Sequence, residues 1–453
     1  MLKCSAPTFP EWGRTKKLTR IEYPFLLLFT FAALLSCYAQ ENLSLDKAVE
    51  IALKNNYAIV IAKTNTGIAA NNNTYGNAGF LPQVSLNASG SLSSVNTKQE
   101  YASGLKIDRQ GVSSNNINSG VTLNWTIFDG FKMFATKEKL NELQAQGELN
   151  LKIEIENNLS RIIIAYYNIV RQQQFIKAMY ESAKVSEERI KIAQKKSDIG
   201  SASKLDLLQA KVDLNTQRSA ILKLKTDLAN AKASLNLLLA RGNENDFTVA
   251  DSIPLNYNIS YNDLKTSVPK LNDSLLYAQK NILISQQVLK EVNALHLPQI
   301  GINTTYNFSK TNNQVGFALI NQNLGWNGGL TLYWNLFNGF KTNILYRNAQ
   351  QQTMIAKYQF DQTQKQVETS LLKAWNNHEN AIEALQLEEE NTGVAKENLT
   401  IALERFRIGS ATNVDINLAQ KSFEDAASRR LSARYDAKVA ETTLMKLNGE
   451  LVK

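Results

Sequence analysis

The chain has 453 residues, of which 43% are hydrophobic and 20% charged, and its formal net charge is +9. This composition excludes an intrinsically disordered chain, a collagen and a disulfide scaffold. Five basic and two acidic residues lie within 1–39 and leave a charge of +6 on the rest. That excess is mild, and without basic clusters interleaved with aromatic residues it does not predict nucleic-acid binding.

The first 39 residues have the pattern of a secretory signal peptide. Basic residues precede the apolar run FLLLFTFAALLS, and the small residues Cys37 and Ala39 follow it. Cleavage after Ala39 would remove both cysteines, Cys4 and Cys37, and with them any thiol nucleophile, structural disulfide or CxxC metal site. Alternatively, LLSC at 34–37 is a lipobox, and Cys37 becomes a lipidated first residue. The sequence predicts an exported protein in the periplasm, the outer membrane or the exterior.

The rest of the chain is an internal duplication. The string WTIFDGFK at 125–132 returns as WNLFNGFK at 334–341, a shift of 209 residues. With the same shift, DIGSASKLDLLQAK at 198–211 becomes RIGSATNVDINLAQ at 407–420. Two similar halves therefore follow each other along the chain.

An upstream landmark sets the limits of each half. FLPQVSLNASG at 80–90 matches HLPQIGINTTY at 296–306 with a shift of 216, so the first half has seven extra residues before its W-x-x-F landmark. The predicted organisation is a signal peptide, a first repeat, a polar linker and a second repeat, at 1–39, 40–245, 246–258 and 259–453.

A very long helix is predicted in each repeat. From Phe131 to Ile199 there is no proline and one glycine, and Leu, Ile, Ala, Lys, Glu and Gln dominate. At 1.5 Å per residue this helix would extend roughly 100 Å. A bilayer core is only ~30 Å thick, so most of the helix must project into water. Beyond Gly200 a heptad track from Leu207 to Leu238 predicts a second helix that packs against the first.

Four segments alternate between apolar and polar residues with a period of two. They predict strands of about ten residues, the length that crosses an outer membrane. Their apolar positions are Val84, Leu86, Ala88 and Leu92; Val121, Leu123, Trp125 and Ile127; Ile300, Ile302, Tyr306 and Phe308; Leu330, Leu332, Trp334 and Leu336. The segments between strand partners, about 93–119 and 310–327, are rich in Asn, Ser and Gly and are predicted to be exposed loops.

Four strands cannot close a barrel in a membrane, because an open sheet edge leaves backbone groups unsatisfied in lipid. Several chains are therefore expected to pool their strands. The alternative is a soluble helical protein with small half-buried hairpins. Trp125 and Trp334, near the strand ends, are either interfacial belt residues or packing residues between strand and helix.

This duplicated order of landmarks resembles the TolC-like outer membrane efflux proteins over essentially the whole mature chain. The resemblance implies a mainly α fold with membrane β: duplicated long α-helical hairpins form a trimeric periplasmic tunnel, and four strands per chain enter a 12-stranded outer-membrane β-barrel. The linker at 246–258 would lie in an equatorial belt.

The same resemblance implies an outer-membrane channel of a tripartite efflux or type I secretion system. Such a channel is a passive conduit, a homotrimer surrounded by outer membrane lipid and docked to a periplasmic adaptor (membrane fusion) protein and an inner-membrane pump. The alternative function is a trimeric coiled-coil surface or structural protein of the outer membrane without a conduit.

The resemblance also assigns the IGSA turns to the periplasmic tips that dock the adaptor. The tip residues are Gly200, Ser201, Ala202, Gly409, Ser410 and Ala411. A glycine there can take the positive φ that ends a helix. Either Ser201 or Ser203, and either Ser410 or Thr412, can cap the helix that follows.

Four further residues are assigned to the periplasmic entrance: Asp206, Phe406, Asp415 and Leu418. Asp415 would contribute to an acidic ring, whereas Leu418 stands at the second acidic position and Phe406 at the gate tyrosine position. Ala411 replaces the tip arginine. A more apolar constriction is therefore expected. Without the resemblance, an aspartate in the first turn of a helix simply complements the helix dipole.

Catalytic chemistry is not predicted. The motifs G-x-x-x-x-G-K-[ST], H-E-x-x-H and G-x-S-x-G are missing from the sequence. The two histidines, His296 and His378, lie in non-equivalent places and lack ligand spacing. The sequence therefore predicts no enzyme, no metal site and no cofactor.

Overall fold

The computed structural model describes residues 41–201, 203–243 and 246–451. The predicted signal peptide at 1–39 and the question of Cys37 lipidation lie outside these residues. The first repeat contains, in chain order, β1 (Glu41–Asn42), α1 (Leu45–Asn55), α2 (Tyr57–Asn72), β2 (Gln83–Glu100), β3 (Lys106–Phe128), α3 (Lys132–Asp198) and α4 (Lys204–Leu238).

The linker region and the second repeat continue this order. They contain β4 (Phe247–Thr248), α5 (Tyr261–Leu271), α6 (Asp273–Asn293), a 3-10 turn (Ala294–His296), β5 (Gln299–Asn313), β6 (Ile320–Tyr333), α7 (Lys341–Ile408) and α8 (Asn413–Leu447). Within the described ranges, no helix is both long enough and apolar enough to cross a membrane.

The long helices confirm the sequence prediction. α3 has 67 residues and α7 has 68, and each is followed by a 35-residue helix, α4 or α8. The apolar track of each shorter helix is buried against its longer partner, as Leu207, Leu214 and Ile416 illustrate. α3 also packs against α8, so that the two hairpins lie side by side.

Strands β2, β3, β5 and β6 form one antiparallel sheet in that order. The register places Leu86, Val121, Tyr306 and Trp326 in one row across the sheet, and Ser85, Thr122, Thr305 and Asn327 in the next row. Because side chains alternate between faces along a strand, the sheet has one apolar face and one polar face. The predicted alternation is confirmed.

The predicted strand lengths and loops were wrong. The strands have 18, 23, 15 and 14 residues, and most of 93–119 and 310–327 belongs to them. The apolar alternation marks only the part of each strand with an apolar face. The ladder continues beyond it because backbone hydrogen bonds do not depend on apolar side chains. In the first hairpin, a β-bulge shifts the register between Val95 and Thr97.

The largest buried cluster lies where the linker crosses the helices. Phe247 and Ile253 are fully or almost fully buried there beside Ile162 and Leu235. The Tyr166 hydroxyl donates a hydrogen bond to the Leu43 carbonyl (3.0 Å) and accepts one from the Ala250 amide (3.1 Å). These bonds hold two segments against the middle of α3: the one that precedes α1 and the one that follows β4.

Candidate functional site: the two helix tips

The first tip joins α3 to α4. Gly200 has φ +73°, its amide donates to the Ser197 carbonyl (3.1 Å), and the Ser201 amide donates to the Lys196 carbonyl (2.8 Å). A left-handed glycine with such reverse bonds is the usual end of a helix. Ser203 then caps α4, since its hydroxyl accepts from the Leu205 amide (3.1 Å). Ala202 lies outside the described residues.

The second tip repeats this geometry between α7 and α8. Gly409 has φ +86°, and the Ser410 amide donates to the Arg405 carbonyl (2.8 Å). Thr412 and Asp415 form a capping box: the Asp415 amide donates to the Thr412 hydroxyl (3.3 Å), and the Thr412 amide donates to the Asp415 carboxylate (2.8 Å).

The structure shows which of the four candidate residues cap the helices that follow the tips. Ser203 and Thr412 cap the following helices. The hydroxyls of Ser201 and Ser410 instead donate back to the Lys196 and Arg405 carbonyls, at 3.1 and 3.3 Å. Each tip serine therefore closes the end of the preceding helix.

The two tips are joined within one chain. The Asn413 side chain donates to the Asp206 carbonyl (3.0 Å), and the Lys196 ammonium donates to the Phe406 carbonyl while lying 4.8 Å from the centre of the Phe406 ring. Phe406 is 6% exposed and packs with Ile192, Ala193, Leu207 and Ile416. Its ring fills the space between the two hairpins.

Apolar side chains project from both tips. The residues beside the two glycines, Ile199 and Ile408, are 79% and 78% exposed. Three further exposed apolar residues lie near the starts of the following helices: Leu205 and Val414 in the first turns of α4 and α8, and Leu418 in the second turn of α8. A cluster of exposed apolar residues at the end of a protein commonly marks a surface that contacts another protein.

The two predicted acidic residues differ in their surroundings. Asp206 is half-buried, with its backbone carbonyl bonded to Asn413. Asp415 is exposed, and the Thr412 amide and hydroxyl, which both donate to its carboxylate, hold its pKa below the usual range. Leu418 lies one turn farther along α8 and is also exposed. Asp415 and Leu418 thus occupy neighbouring positions on one helix face.

Sequence reasoning missed a buried polar network above the tips. Arg189 on α3 is fully buried and donates to the Asp213 carboxylate on α4, which also accepts from the Asn417 side chain on α8 (3.1 Å). One turn farther on, Gln420 donates to Ser182 (2.8 Å) and Ser186 (2.7 Å). The spacing of Ser182, Ser186 and Arg189 along one helix face is the sequence signal for this network.

Paired helical hairpins that end in two glycine tips, together with a sheet that has one apolar and one polar face, define a membrane channel with a long helical extension. The sequence matches the family described as "Outer membrane efflux protein" over residues 48–241 and 270–450, and the chain belongs to this family. The gap between the matched blocks contains the predicted linker at 246–258.

Relatives and solved structures agree with this assignment. The chain is 22% identical over 337 residues to the outer membrane efflux protein BepC of Brucella suis, covering 73% of this chain and 72% of BepC. It is 21% identical over 389 residues to TolC of Escherichia coli, covering 82% and 75%. The Campylobacter jejuni CmeC outer membrane channel superposes with a TM-score of 0.76 at 17% identity, covering 97% of this chain and 94% of CmeC.

The predicted family, fold class and localisation are therefore confirmed. The protein is an outer-membrane efflux channel component with a periplasmic helical extension. The family is one of channels and transport proteins.

Proposed function

We propose that three copies of this chain form the conduit and that the two helix tips of each copy dock a periplasmic adaptor, which links the channel to an inner-membrane pump. The observation that carries this proposal is the pair of matching tips, each with a left-handed glycine and an exposed isoleucine.

The sheet supports the conduit. Its apolar face suits lipid, and its polar face is suited to line a duct, with Ser85, Thr122, Thr305 and Asn327 in one row. The Thr122 and Thr305 hydroxyls are 3.1 Å apart and share a hydrogen bond on this polar face. A coiled-coil surface protein without a conduit would not need a sheet with one lipid-compatible face and one water-compatible face.

The tips support docking. Gly200 and Gly409 end the long helices abruptly, so that Ile199 and Ile408 stand at the extreme end of the hairpins. Ser201, Ser410 and Ala411 are small and add little bulk. An adaptor that presents apolar side chains can therefore approach the backbone closely and cover both isoleucines, which is favourable because apolar surface leaves water.

The entrance is proposed to be formed by Asp415 and Leu418, with Asp206 behind them. Asp415 and Leu418 are exposed on the same face of α8. Phe406 packs inside the chain and supports this surface from behind. Around a three-fold axis the exposed pair would give one acidic ring and one apolar ring.

Photo-crosslinking in living cells tests the docking proposal. A photoreactive amino acid at position 408 should crosslink to a periplasmic adaptor identified by mass spectrometry. The control position, Val394, is also on α7 and 62% exposed but lies away from the tip, and should give no adaptor crosslink. Absence of adaptor crosslinks at 408, or equal yields at both positions, would contradict docking at the tips.

A second variant separates tip geometry from folding. Gly409→Val forces a β-branched residue into left-handed backbone, which costs roughly 1–2 kcal/mol. An added Cβ would lie 3.8 Å from Lys196 Nζ, an ordinary contact with the end of a flexible side chain, so no clash adds to this cost. The adaptor crosslink from position 408 should fall sharply, while trimers persist on native gels. An unchanged crosslink yield would show that docking does not depend on this turn.

A further inference from the structure

The polar face of the sheet is built from amide and hydroxyl side chains. The register between the strands places six successive rows of residues on this face, from the row of Gln83 to the row of Ser93. Every residue in these rows is Gln, Asn, Ser, Thr or Gly. The rows are Gln83, Asn124, Asn303 and Gly329; Ser85, Thr122, Thr305 and Asn327; Asn87, Gly120, Asn307 and Gly325; Ser89, Asn118, Ser309 and Asn323; Ser91, Asn116, Thr311 and Asn321; Ser93, Ser114 and Asn313.

Side-chain hydrogen bonds join neighbouring strands across this face. The Ser114 hydroxyl donates to Asn313 Oδ1 (2.6 Å), and the Thr311 hydroxyl donates to Asn116 Oδ1 (3.3 Å). An amide has two N–H donors and an oxygen acceptor, and a hydroxyl has one donor and two acceptor lone pairs. Such a face therefore offers donors to an anion and acceptors to a cation.

A lysine within these strands lies on the opposite face. Lys310 stands between Ser309 and Thr311 in β5, but its partners in the register are Ile117 and Gln322 on the apolar side. Because side chains alternate between faces along a strand, the charge of Lys310 is directed away from the polar face. The amide and hydroxyl lining is therefore continuous past this charged residue.

The other charged residues of the sheet lie beyond the β-bulge, at the outer end of the first hairpin. Lys98 and Asp108 form an ion pair (3.4 Å), and Lys106 and Glu100 form a second one (2.9 Å). Arg109 follows Asp108 directly. These side chains are largely exposed, so water and salt screen them from the rows below.

We propose that the sheet forms a wall without charge selection, so that the outer-membrane part of the duct admits polar solutes of either sign. This inference rests on the proposed conduit, in which the polar face lines the duct. A ring of like charges would attract solutes of one sign and repel the other, since low-dielectric walls concentrate the field. Amides and hydroxyls instead hydrogen-bond to both signs. Any selection by charge then takes place in the helical part of the channel.

Thiol modification measures the electrostatic potential at this wall. The chain has no cysteine after Cys37, which signal cleavage would remove and lipidation would block, so Ser89→Cys introduces a single reactive thiol. The full channel in proteoliposomes is treated with a cationic or an anionic methanethiosulfonate of similar size, carrying trimethylammonium or sulfonate. Mass spectrometry gives the two rate constants. Their ratio, divided by the ratio for free 2-mercaptoethanol, should lie within about twofold of one.

Substitutions at the paired position show that the assay senses charge. Asn118 on β3 is the partner of Ser89 in the register. When combined with Ser89→Cys, Asn118→Asp should raise the normalised ratio of cationic to anionic rates at least about threefold, because paired Cβ atoms are about 5 Å apart. Asn118→Lys should lower the ratio by a similar factor.

The adjacent residue on the apolar face supplies the matched control. Ala88→Cys places the thiol against lipid, where charged reagents do not enter, and both reagents should modify it at least about tenfold more slowly than Ser89→Cys. A normalised ratio for Ser89→Cys that differs from one by more than about threefold would overturn the wall without charge selection and leave the conduit standing. Equal modification of Ser89→Cys and Ala88→Cys would contradict the conduit itself.

Discussion

Replacing Glu156 by glutamine should change how the stability of the protein depends on pH. Glu156 lies on α3 and lines a pocket with Asp273, at the start of α6, and Lys446, at the end of α8. Its side chain is 5% exposed, and its Oε1 has no hydrogen-bond partner among the described residues. Burial, reinforced by the charge of Asp273 and opposed by Lys446 and Lys152, raises its pKa from 4.5 to about 7.

The raised pKa fixes the sign and the size of the effect. Between pH 4.5 and 7 the folded protein holds a proton on Glu156 that the unfolded chain has lost, so stability falls as the pH rises. At about 1.4 kcal/mol per pKa unit, the whole shift corresponds to roughly 3 kcal/mol. Of this, about 2.5 kcal/mol is lost between pH 5 and pH 8. Glutamine has the same shape but no charge, so Glu156→Gln should stabilise the protein at pH 8.

Chemical unfolding of the detergent-solubilised channel at pH 5, 6.5 and 8 measures this effect. The difference in unfolding free energy between Glu156→Gln and the wild type should grow from pH 5 to pH 8. Glu148→Gln is the control, because Glu148 is exposed on the same helix and accepts a bond from Gln144. Parallel pH profiles of Glu156→Gln and the wild type would refute the reasoning.

Two further predictions concern the tip region. Asp213→Ala leaves the buried Arg189 guanidinium without its carboxylate and should lower the unfolding free energy by about 3–5 kcal/mol, whereas Asp227→Ala, exposed on the same helix, should change it little. Asp415→Asn keeps a capping oxygen but removes the charge, so block of single-channel conductance by hexamminecobalt from the periplasmic side should disappear. Asp425→Asn, farther along α8, should retain the block; equal block in wild type and Asp415→Asn would eliminate an acidic entrance ring.

The sequence predicts the parts of this fold that its local chemistry specifies. The uninterrupted run from Phe131 to Ile199 predicts α3 nearly to the residue, and Gly200 and Gly409 predict the tips. Strand length escapes prediction because alternation records only where one face is apolar. The tip serines were ambiguous, since Ser201 and Ser203 are both placed to bond backbone and only the three-dimensional turn decides which helix each one serves.

Contacts between distant segments are the second class of feature that single-sequence reasoning missed. Arg189 meets Asp213 and Asn417 only because three helices pack at one level. The contact between the His296 and Asn343 side chains, 3.0 Å apart, could have been found from the sequence. When the two repeats are aligned, these two polar residues stand where the first repeat has Phe80 and Phe134. The docking and entrance roles of the tip residues remain predictions for the experiments above.

The longer first hairpin shows how this protein can accept new sequence at its outer end. Its ladder has 17 partnered residue pairs against 14 in the second hairpin, which adds six residues. The bulge adds three residues that have no partner in the ladder, Asn96, Gln110 and Gly111, and the turn is two residues shorter, which leaves the seven extra residues. Within the bulge Gly111, at φ +66°, donates its amide to the Asn96 side chain (2.9 Å). When a hairpin lengthens by one residue on each strand, the side chains already paired stay on the same face of the sheet. Epitope tags placed in the 101–105 turn lie beyond the last pair of this ladder, Glu100 with Lys106, and should therefore leave the channel wall unchanged.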